Sequence, residues 1–374
     1  MIKIVQNEIL ENLQNSNSDY TRLFHGRGGC FKGFEFLTVD AIDTLLFVVF
    51  FQECEAQLEK ELFDFLEMLQ TKGFQTAVVQ RRYLEKAPSQ ILFGSLKEET
   101  VASENGLHYH LSFLHHQNIG FFADMKQGRE FVAQVCENKN VLNLFSYTCS
   151  FSVVAIQHGA KQVVNVDMSK AALSTGRENH RLNSLSTQHV KFLPYNILKS
   201  WSKIKKYAPY DLIIIDPPSF QKGSFAASKD YEKIIKRLHE LANTECTVLA
   251  CLNDPILDEA FIRKIFQDFA PEFIFEQRLE NVKEFKTNDE NRSLKNLVFR
   301  KQIDANICPL CKKPNLCGAK STASCWCNTI KVPDELRAIV PLEFKMKACI
   351  CQECIEAFKS NQSEFVNDLY ITSL

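Results

Sequence analysis

The sequence has no long apolar run, no strong charge of one sign and no recognisable export signal. No stretch of about 18 apolar residues is present. Its start shows no basic segment followed by an apolar core. The formal net charge is −1, so any nucleic-acid partner must be held by local basic patches. We therefore expect a cytoplasmic protein that does not interact with a membrane.

Cysteines are abundant, with 14 in the chain, and eight of them fall between Cys308 and Cys354. In a chain without an export signal this favours free thiols and a structural metal over disulfides, because C-x-x-C pairs have the spacing of zinc sites. One four-sulfur Zn²⁺ site is predicted from Cys308, Cys311, Cys351 and Cys354. A second is predicted from Cys317, Cys325, Cys327 and Cys349. Redox thiols are the alternative for this segment.

The order of apolar runs predicts three parts. Residues 1–116 have the pattern of a small α+β domain, with strands near 34–39, 45–50 and 76–80 and a helix over 55–68. Residues 117–302 alternate short apolar strands with helical segments, which is typical of a parallel sheet covered on both faces. Residues 303–374 hold the cysteine cluster. The fold class is α/β, with an N-terminal α+β domain and a small C-terminal cysteine-rich module.

In a doubly wound sheet the ligand binds beyond the carboxyl ends of the strands. The first strand of this part is predicted at 141–145. The turn that follows it has small polar residues, where the backbone can approach a ligand. It lacks Gly-x-Gly-x-x-Gly, and an ordinary strand-to-helix loop is the alternative. The candidate ligand contacts in this turn are Asn143, Phe145, Ser146 and Thr148.

Two further turns supply candidates. Asp167 ends the second strand about 20 residues after the turn, where a carboxylate can accept hydrogen bonds from ribose hydroxyls, and Met168 follows it. A helix N-cap is the alternative role for Asp167. After the third strand, Asn196 and Ile197 are placed to meet an adenine edge, with an ordinary loop as the alternative.

The fourth strand ends in Asp216-Pro217-Pro218-Ser-Phe220. Two prolines prevent helix continuation and make a rigid edge. Asp216 and the carbonyl of Pro217 can accept hydrogen bonds from a planar base, on which Phe220 can stack. A simple strand terminator explains the prolines but neither the carboxylate nor the aromatic ring.

These segments resemble the class I S-adenosylmethionine-dependent methyltransferases of large-subunit ribosomal RNA, in particular the family with the bacterial 23S rRNA cytosine-5 and guanine-N7 enzymes. The likeness covers about residues 22–300. It is carried by Leu142-Asn-Leu-Phe-Ser-Tyr-Thr148, Asn165-Val-Asp167, Arg177-Glu-Asn-His-Arg-Leu-Asn183 and Asp216-Pro-Pro-Ser-Phe-Gln-Lys-Gly-Ser224. The resemblance implies a Rossmann-like fold, an RNA partner, and cofactor contacts by Phe145, Ser146, Asp167, Asn196 and Asp216. Cys325-Trp-Cys327 resembles the core of the small cysteine-rich domain named for that tripeptide.

The acceptor atom depends on Cys251 in the fifth strand. Cytosine-5 enzymes of this type attack the base with a cysteine thiolate at this place. The surrounding sequence departs from their usual pattern, and a cysteine in an apolar strand can equally be a small buried hydrophobe. If Cys251 is inert, a ring or amino nitrogen held by Asp216 is the expected acceptor.

Local basic clusters offer sites for RNA phosphates. They are formed by Arg81 and Arg82 near the N-terminus and by Lys191, Lys199, Lys203, Lys205 and Lys206 after the third strand. Solvated charged faces are the alternative. Two other functions stay open: methylation of a protein or small molecule, and a non-catalytic module that binds RNA or the ribosome.

Overall fold

The computed structural model describes residues 2–15, 19–97, 99–114, 117–221, 223–317, 329–341 and 344–366. They form two compact units. The larger comprises residues 1–270 and 275–299, and the smaller comprises 271–274 and 300–374. Within the described ranges, no helix is long and apolar enough to cross a membrane.

The helices of the larger unit are α1 Lys3–Asn15, α2 Ala56–Met68, α3 Lys126–Val135, α4 Ser150–Gln157, α5 Lys170–Leu182, α6 Trp201–Lys205, α7 Ala227–Ile235, α8 Leu238–Leu241 and α9 Glu259–Phe269. Those of the smaller unit are α10 Asp334–Ala338 and α11 Gln352–Ser360.

The first strands are β1 Thr21–His25, β2 Leu37–Ile42, β3 Leu45–Phe50, β4 Thr76–Arg81, β5 Ser89–Phe93, β6 Thr100–Glu104 and β7 Leu107–Leu111. The remaining strands are β8 Asn140–Leu144, β9 Gln162–Val166, β10 Val190–Leu193, β11 Tyr210–Ile215, β12 Phe220–Gln221, β13 Phe225–Ala226, β14 Ala242–Leu252, β15 Phe273–Leu279 and β16 Lys295–Lys301.

Strands β1 to β5 form one sheet in chain order. Every residue of β3 is buried, because the sheet has a core on each face. Alternate residues of a strand point to opposite faces. Leu46 and Val48 belong to a core shared with α1 and α2, whereas Leu45 and Phe47 belong to the core that continues into the second sheet.

The second sheet has seven strands in the order β10-β9-β8-β11-β14-β16-β15. Strands β8, β9, β10, β11 and β14 are parallel. The winding direction reverses between β8 and β11, so the carboxyl ends of these two strands form the crevice where such folds bind ligands. The predicted parallel α/β sheet is confirmed.

One predicted strand boundary was wrong. The strand expected at 34–39 begins only at Leu37, because Phe34 closes a turn by accepting the Leu37 N–H at 3.0 Å. The helical segment that precedes β14 is split into α7 and α8. The segment that precedes α3 is part of the packed unit, since Phe121, Ala123 and Met125 belong to the core.

Candidate functional site

A cavity of about 520 Å³ opens at the carboxyl ends of the central strands of the seven-stranded sheet. Its walls come from the loops after β8, β9, β10 and β11 and from the segment that precedes α3. This is the position at which the strand order reverses. A cavity of this volume is in the range of small-molecule and cofactor sites.

The turn after β8 has an unusual backbone. Phe145, Tyr147 and Cys149 all have positive φ, at 59°, 45° and 63°, which costs a non-glycine residue of order 1 kcal/mol or more. The turn is held by hydrogen bonds from the Ser146 N–H to the Val166 carbonyl at 3.1 Å and from the Cys149 N–H to the Ser146 carbonyl at 2.7 Å. The result is a rigid turn that presents Ser146 to the cavity.

Asp167 fixes this turn from the neighbouring strand. Its Oδ2 accepts the Tyr147 N–H at 2.9 Å and its Oδ1 accepts the Ser169 N–H at 2.8 Å. Burial raises the pKa of Asp167, and the two N–H groups partly offset that effect. The N-cap of α5 is Ser169, whose Oγ accepts the Ala172 N–H at 3.1 Å. Asp167 therefore lines the cavity without capping the helix.

Asp216 lies at the floor of the cavity beside two charged residues that the sequence pattern does not single out, Asp124 and Arg129. Burial raises the pKa of Asp216 to about 7, Asp124 adds to that rise, and Arg129 opposes it. Burial also raises the pKa of Asp124. Arg129 is 1% exposed and donates two hydrogen bonds to Glu104, at 2.6 and 2.7 Å.

Two buried polar atoms at the cavity have no hydrogen-bond partner among the described protein groups. They are the Oγ of Ser146 and the Nη1 of Arg129. Since buried polar groups are normally paired, these atoms fit a polar ligand. The Arg129 guanidinium can donate to a carboxylate of the ligand. The neighbouring carboxyl of Asp124 can accept from an ammonium of the ligand.

The outer edge of the cavity is formed by the segment after β11. Pro217 is buried and Pro218 is exposed, while the Phe220 ring is 71% exposed. The Ser219 hydroxyl donates to the Asn253 carbonyl and fixes the segment. This arrangement leaves a carboxylate inside the cavity and a bare aromatic ring at its mouth.

The other predicted contacts divide into two groups. Thr148, Met168, Asn196 and Ile197 line the cavity, although the Thr148 hydroxyl is already bonded to the Gly120 carbonyl at 2.6 Å. Asn143 and Cys251 are not among the lining residues.

Asn143 and Cys251 are held in the interior. The Nδ2 of Asn143 donates to Asn165 at 2.9 Å, in a buried chain of hydrogen bonds that continues through Ser152 to His180. Cys251 is 0% exposed within the core. Burial, with Asp216 and Asp124 adding to it, raises the pKa of the Cys251 thiol well above its usual value, which disfavours the thiolate.

The smaller unit brings four thiols together. The sulfur atoms of Cys308, Cys311, Cys351 and Cys354 lie within 4.8 Å of one another. Cys308 and Cys354 are 3.8 Å apart, and Cys311 and Cys351 are 3.6 Å apart. A tetrahedral Zn²⁺ site with Zn–S bonds of about 2.3 Å has sulfurs about 3.8 Å apart. This donor set therefore fits zinc.

The local backbone explains how the four sulfurs converge. Cys308 and Cys311 flank a tight turn in which the Lys312 N–H reaches the Cys308 carbonyl at 3.0 Å. Cys351 is the N-cap of α11, so Cys354 follows in the first helical turn. The Cys351 N–H donates to the Cys308 sulfur at 3.3 Å, which orients this sulfur towards the other three.

Two cysteines of the second predicted four-sulfur site also lie close together. The sulfurs of Cys317 and Cys349 are 3.5 Å apart. Their predicted partners Cys325 and Cys327 lie outside the described residues. None of the cysteines in the described part of the chain forms a disulfide.

Comparison with protein families covers most of the chain. The model of the S-adenosylmethionine-dependent methyltransferase family matches residues 21–300. The chain belongs to this family. The methyltransferase also carries a match to the cysteine-rich CWC family over residues 308–356, so both predicted resemblances are confirmed.

Curated relatives of this methyltransferase include enzymes named for ribosomal RNA. The "ribosomal RNA large subunit methyltransferase I" of Aeromonas salmonicida (strain A449) is 30% identical over 46% of the chain and 45% of the relative. The "ribosomal RNA large subunit methyltransferase K/L" of Shewanella sp. (strain MR-4) is 38% identical over 39% of the chain and 21% of the relative. The match thus spans about half, or less, of these relatives' length.

Solved structures share the fold over a larger part of the methyltransferase. A SAM-dependent methyltransferase structure from Streptococcus mutans has a TM-score of 0.72 at 26% identity and covers 80% of both chains. A methyltransferase solved with SAH has a TM-score of 0.72 at 24% identity, over 80% of this chain and 81% of the other. The predicted fold class is confirmed.

Proposed function

We propose that this protein transfers a methyl group from S-adenosylmethionine to a base of ribosomal RNA, and that the acceptor is a nitrogen. The observation that carries the proposal is the edge formed by Asp216, Pro217 and Phe220, with a half-buried carboxylate and an exposed aromatic ring lining the same cavity. A planar base can stack on such a ring while its polar edge reaches the carboxylate. The names of the curated relatives support ribosomal RNA as the substrate class.

For the cofactor, the proposed contacts are Phe145, Ser146, Asp167, Met168, Asn196 and Ile197, all of which line the cavity. The carboxylate of Asp167 is suited to the ribose hydroxyls. The free Nη1 of Arg129 and the buried carboxyl of Asp124 are suited to the carboxylate and ammonium of an amino acid. When bound, S-adenosylmethionine supplies an electrophilic methyl group.

For the acceptor base, Asp216 and the Pro217 carbonyl would accept hydrogen bonds from an amine or ring N–H. The pKa of Asp216 is about 7, so its carboxylate can accept the proton that such a nitrogen loses on methylation. The buried, neutral thiol of Cys251 supports a nitrogen acceptor over cytosine C5. Cytosine C5 would require a thiolate nucleophile with access to the base.

The proposal extends to the rest of the chain. Residues 1–116 would recognise the substrate, residues 117–302 would carry out the transfer, and residues 303–374 would hold zinc. A cytoplasmic location is part of it, since the free thiols suit a reducing compartment.

Mass-spectrometric mapping of 23S ribosomal RNA from a deletion strain tests the function. We expect one methylated base to lose its methyl group, and purified protein with S-adenosylmethionine to restore it in vitro. A complete methylation profile without the gene, together with no transfer to RNA by the purified protein, would overturn the proposal. Transfer to a protein or small molecule instead would redirect it, and cofactor binding without any transfer would leave only a binding module.

A further inference from the structure

The run His25-Gly-Arg27-Gly-Gly29 forms a tightly constrained loop between β1 and β2. A Cβ at Gly28 would lie 1.9 Å from the Lys286 carbonyl oxygen, and one at Gly26 would lie 1.8 Å from the Phe34 carbonyl oxygen. Gly29 has a positive φ of 73°. Glycine is thus required for close backbone contact, and the loop holds the exposed Arg27 side chain at a fixed place.

Arg27 belongs to a cluster of three guanidinium groups with Arg22 and Arg82. The buried carboxylate of Asp40 pairs with Arg22. Among the described residues, no carboxylate lies within salt-bridge distance of Arg27 or Arg82. The pKa of Arg82 is lowered by burial and by the neighbouring Arg22 and Arg27, while Tyr20 and Asp40 act in the opposite direction. The pKa of Arg27 is lowered by partial burial and by Arg22. Arg27 and Arg82 are therefore two neighbouring positive charges that have no ion pair of their own among the described residues, and Arg82 shares the influence of Asp40 with Arg22.

Both side chains are held by contacts other than ion pairs. The Arg27 guanidinium lies 4.0 Å from the centre of the Phe51 ring, and that of Arg82 lies 5.5 Å from the same centre. Arg82 also donates to Oε1 of Gln80 at 2.8 Å and to the Gln117 carbonyl at 2.9 Å. These contacts fix the two guanidinium groups and leave other N–H donors of each free to bind an anion.

The cluster borders the cofactor cavity. Gln117, which binds Arg82, directly precedes Asn118, a cavity residue whose carbonyl accepts the Tyr147 hydroxyl at 3.2 Å. Tyr147 also lines the cavity. Burial raises the pKa of Tyr147 to about 12, and the positive charge of Arg82 partly offsets that rise. An anion held by Arg82 would therefore lie beside the cavity wall.

We propose that Arg27 and Arg82, oriented by Phe51, bind the phosphate backbone of the RNA strand whose base enters the cavity. The inference rests on the proposed function, because it takes RNA as the substrate. Guanidinium groups bind phosphate oxygens with paired, charge-assisted hydrogen bonds. Phosphate contacts of this kind position the strand without reading its sequence.

The neighbouring Arg81 provides a matched control. Arg81 directly precedes Arg82 in the chain and carries the same charge. Its guanidinium, however, is paired with the carboxylate of Glu59. The sequence alone groups Arg81 with Arg82 and does not include Arg27. In the structure, Arg81 has a carboxylate partner, whereas among the described residues Arg27 and Arg82 have none.

The test compares R27Q, R82Q and the R27Q/R82Q double variant with R81Q, using transcribed 23S ribosomal RNA as the probe. We expect the KM for RNA to rise roughly fivefold for each guanidinium removed from the site. The slope of log affinity against log salt should fall by about 0.7 for each phosphate of a single strand that no longer has an arginine partner. R81Q, the kcat and the affinity for S-adenosylmethionine should stay at wild-type values, and R27K should recover part of the RNA affinity.

The inference is overturned if R27Q and R82Q bind and methylate RNA as R81Q does. It is also overturned if the weaker RNA binding of the variants follows a loss of cofactor affinity or of thermal stability. Failure of the proposed function gives a different result, since the wild-type protein then transfers no methyl group to this RNA. In that case filter binding of the RNA by the same variants still decides whether the arginines bind phosphate.

Discussion

The replacement Asp167→Asn tests the cofactor site most directly. Both carboxylate oxygens of Asp167 accept a backbone N–H, one from Tyr147 and one from Ser169. An asparagine keeps one acceptor and places an NH₂ donor at the other position, so no rotamer satisfies both N–H groups. The Tyr147 N–H is part-buried and the Ser169 N–H is exposed, so the cost of losing one acceptor is about 1 kcal/mol, at the lower end of the range for an unpaired donor.

We expect the free variant to relax the strained turn around Tyr147 and to recover part of that cost. Cofactor binding must then restore the turn, so the dissociation constant rises roughly fivefold. Calorimetric titration with S-adenosylhomocysteine, which cannot react, measures this change. Thermal unfolding monitored by circular dichroism shows whether the variant is folded.

Asp211→Asn is the matched control. The two carboxylate oxygens of Asp211 also each accept one N–H, from the backbone of Asn140 at 2.9 Å and from the Asn243 side chain at 2.6 Å. Asp211 lies at the start of β11, away from the cavity. Wild-type affinity in D167N, or equal weakening in D167N and D211N, would refute the reasoning.

Three further outcomes are expected. When the metal content is measured by mass spectrometry, C354S should contain one zinc ion per chain fewer than the wild-type protein, and C30S should contain the wild-type amount. Equal zinc content in the two variants would exclude the four-thiol site. C251A should keep kcat within about threefold, as should C246A on the same buried strand; selective inactivation of C251A with loss of a 5-methylcytosine would favour the covalent route. Because the pKa of Asp216 is raised to about 7, its carboxyl is protonated at lower pH, so kcat/KM for RNA should increase as the pH rises through about 7. D216N should not show that rise.

The sequence predicted those parts of the fold that depend on local patterns. Parallel strands buried on both faces are apolar runs, and β8, β9 and β11 were therefore found. The short strands β1 and β6 were missed. The two buried residues of β1, Leu23 and Phe24, are adjacent and do not alternate, and one of the two buried residues of β6 is the charged Glu104. The break between α7 and α8 was missed because residues on both sides keep the helical spacing of apolar positions.

The site was predictable where one strand end carries its own polar residues, as at Asp167 and Asp216. Asp124 and Arg129 were missed because their role depends on a segment that folds back over the cavity from outside the sheet. The available signal was the carboxylate of Asp124 among the apolar residues Phe121, Phe122, Ala123 and Met125. Conversely, a thiol in strand β14 gave no indication in the sequence of which face it occupies, and Cys251 proved to lie in the core.

The close approach of Gly28 to Lys286 bears on how this gene can be recombined. The Asn288 N–H donates to the Gly28 carbonyl at 2.9 Å and its side chain to the Gly29 carbonyl at 3.0 Å, joining the loop after β1 to a segment near the end of the methyltransferase domain. A chimera that replaces residues 1–116 with the homologous part of another enzyme keeps this contact only if the new loop also has glycine at the positions of Gly28 and Gly29. Where the new loop lacks them, retargeting by domain exchange requires the donor's segment equivalent to 283–288 to be transferred as well.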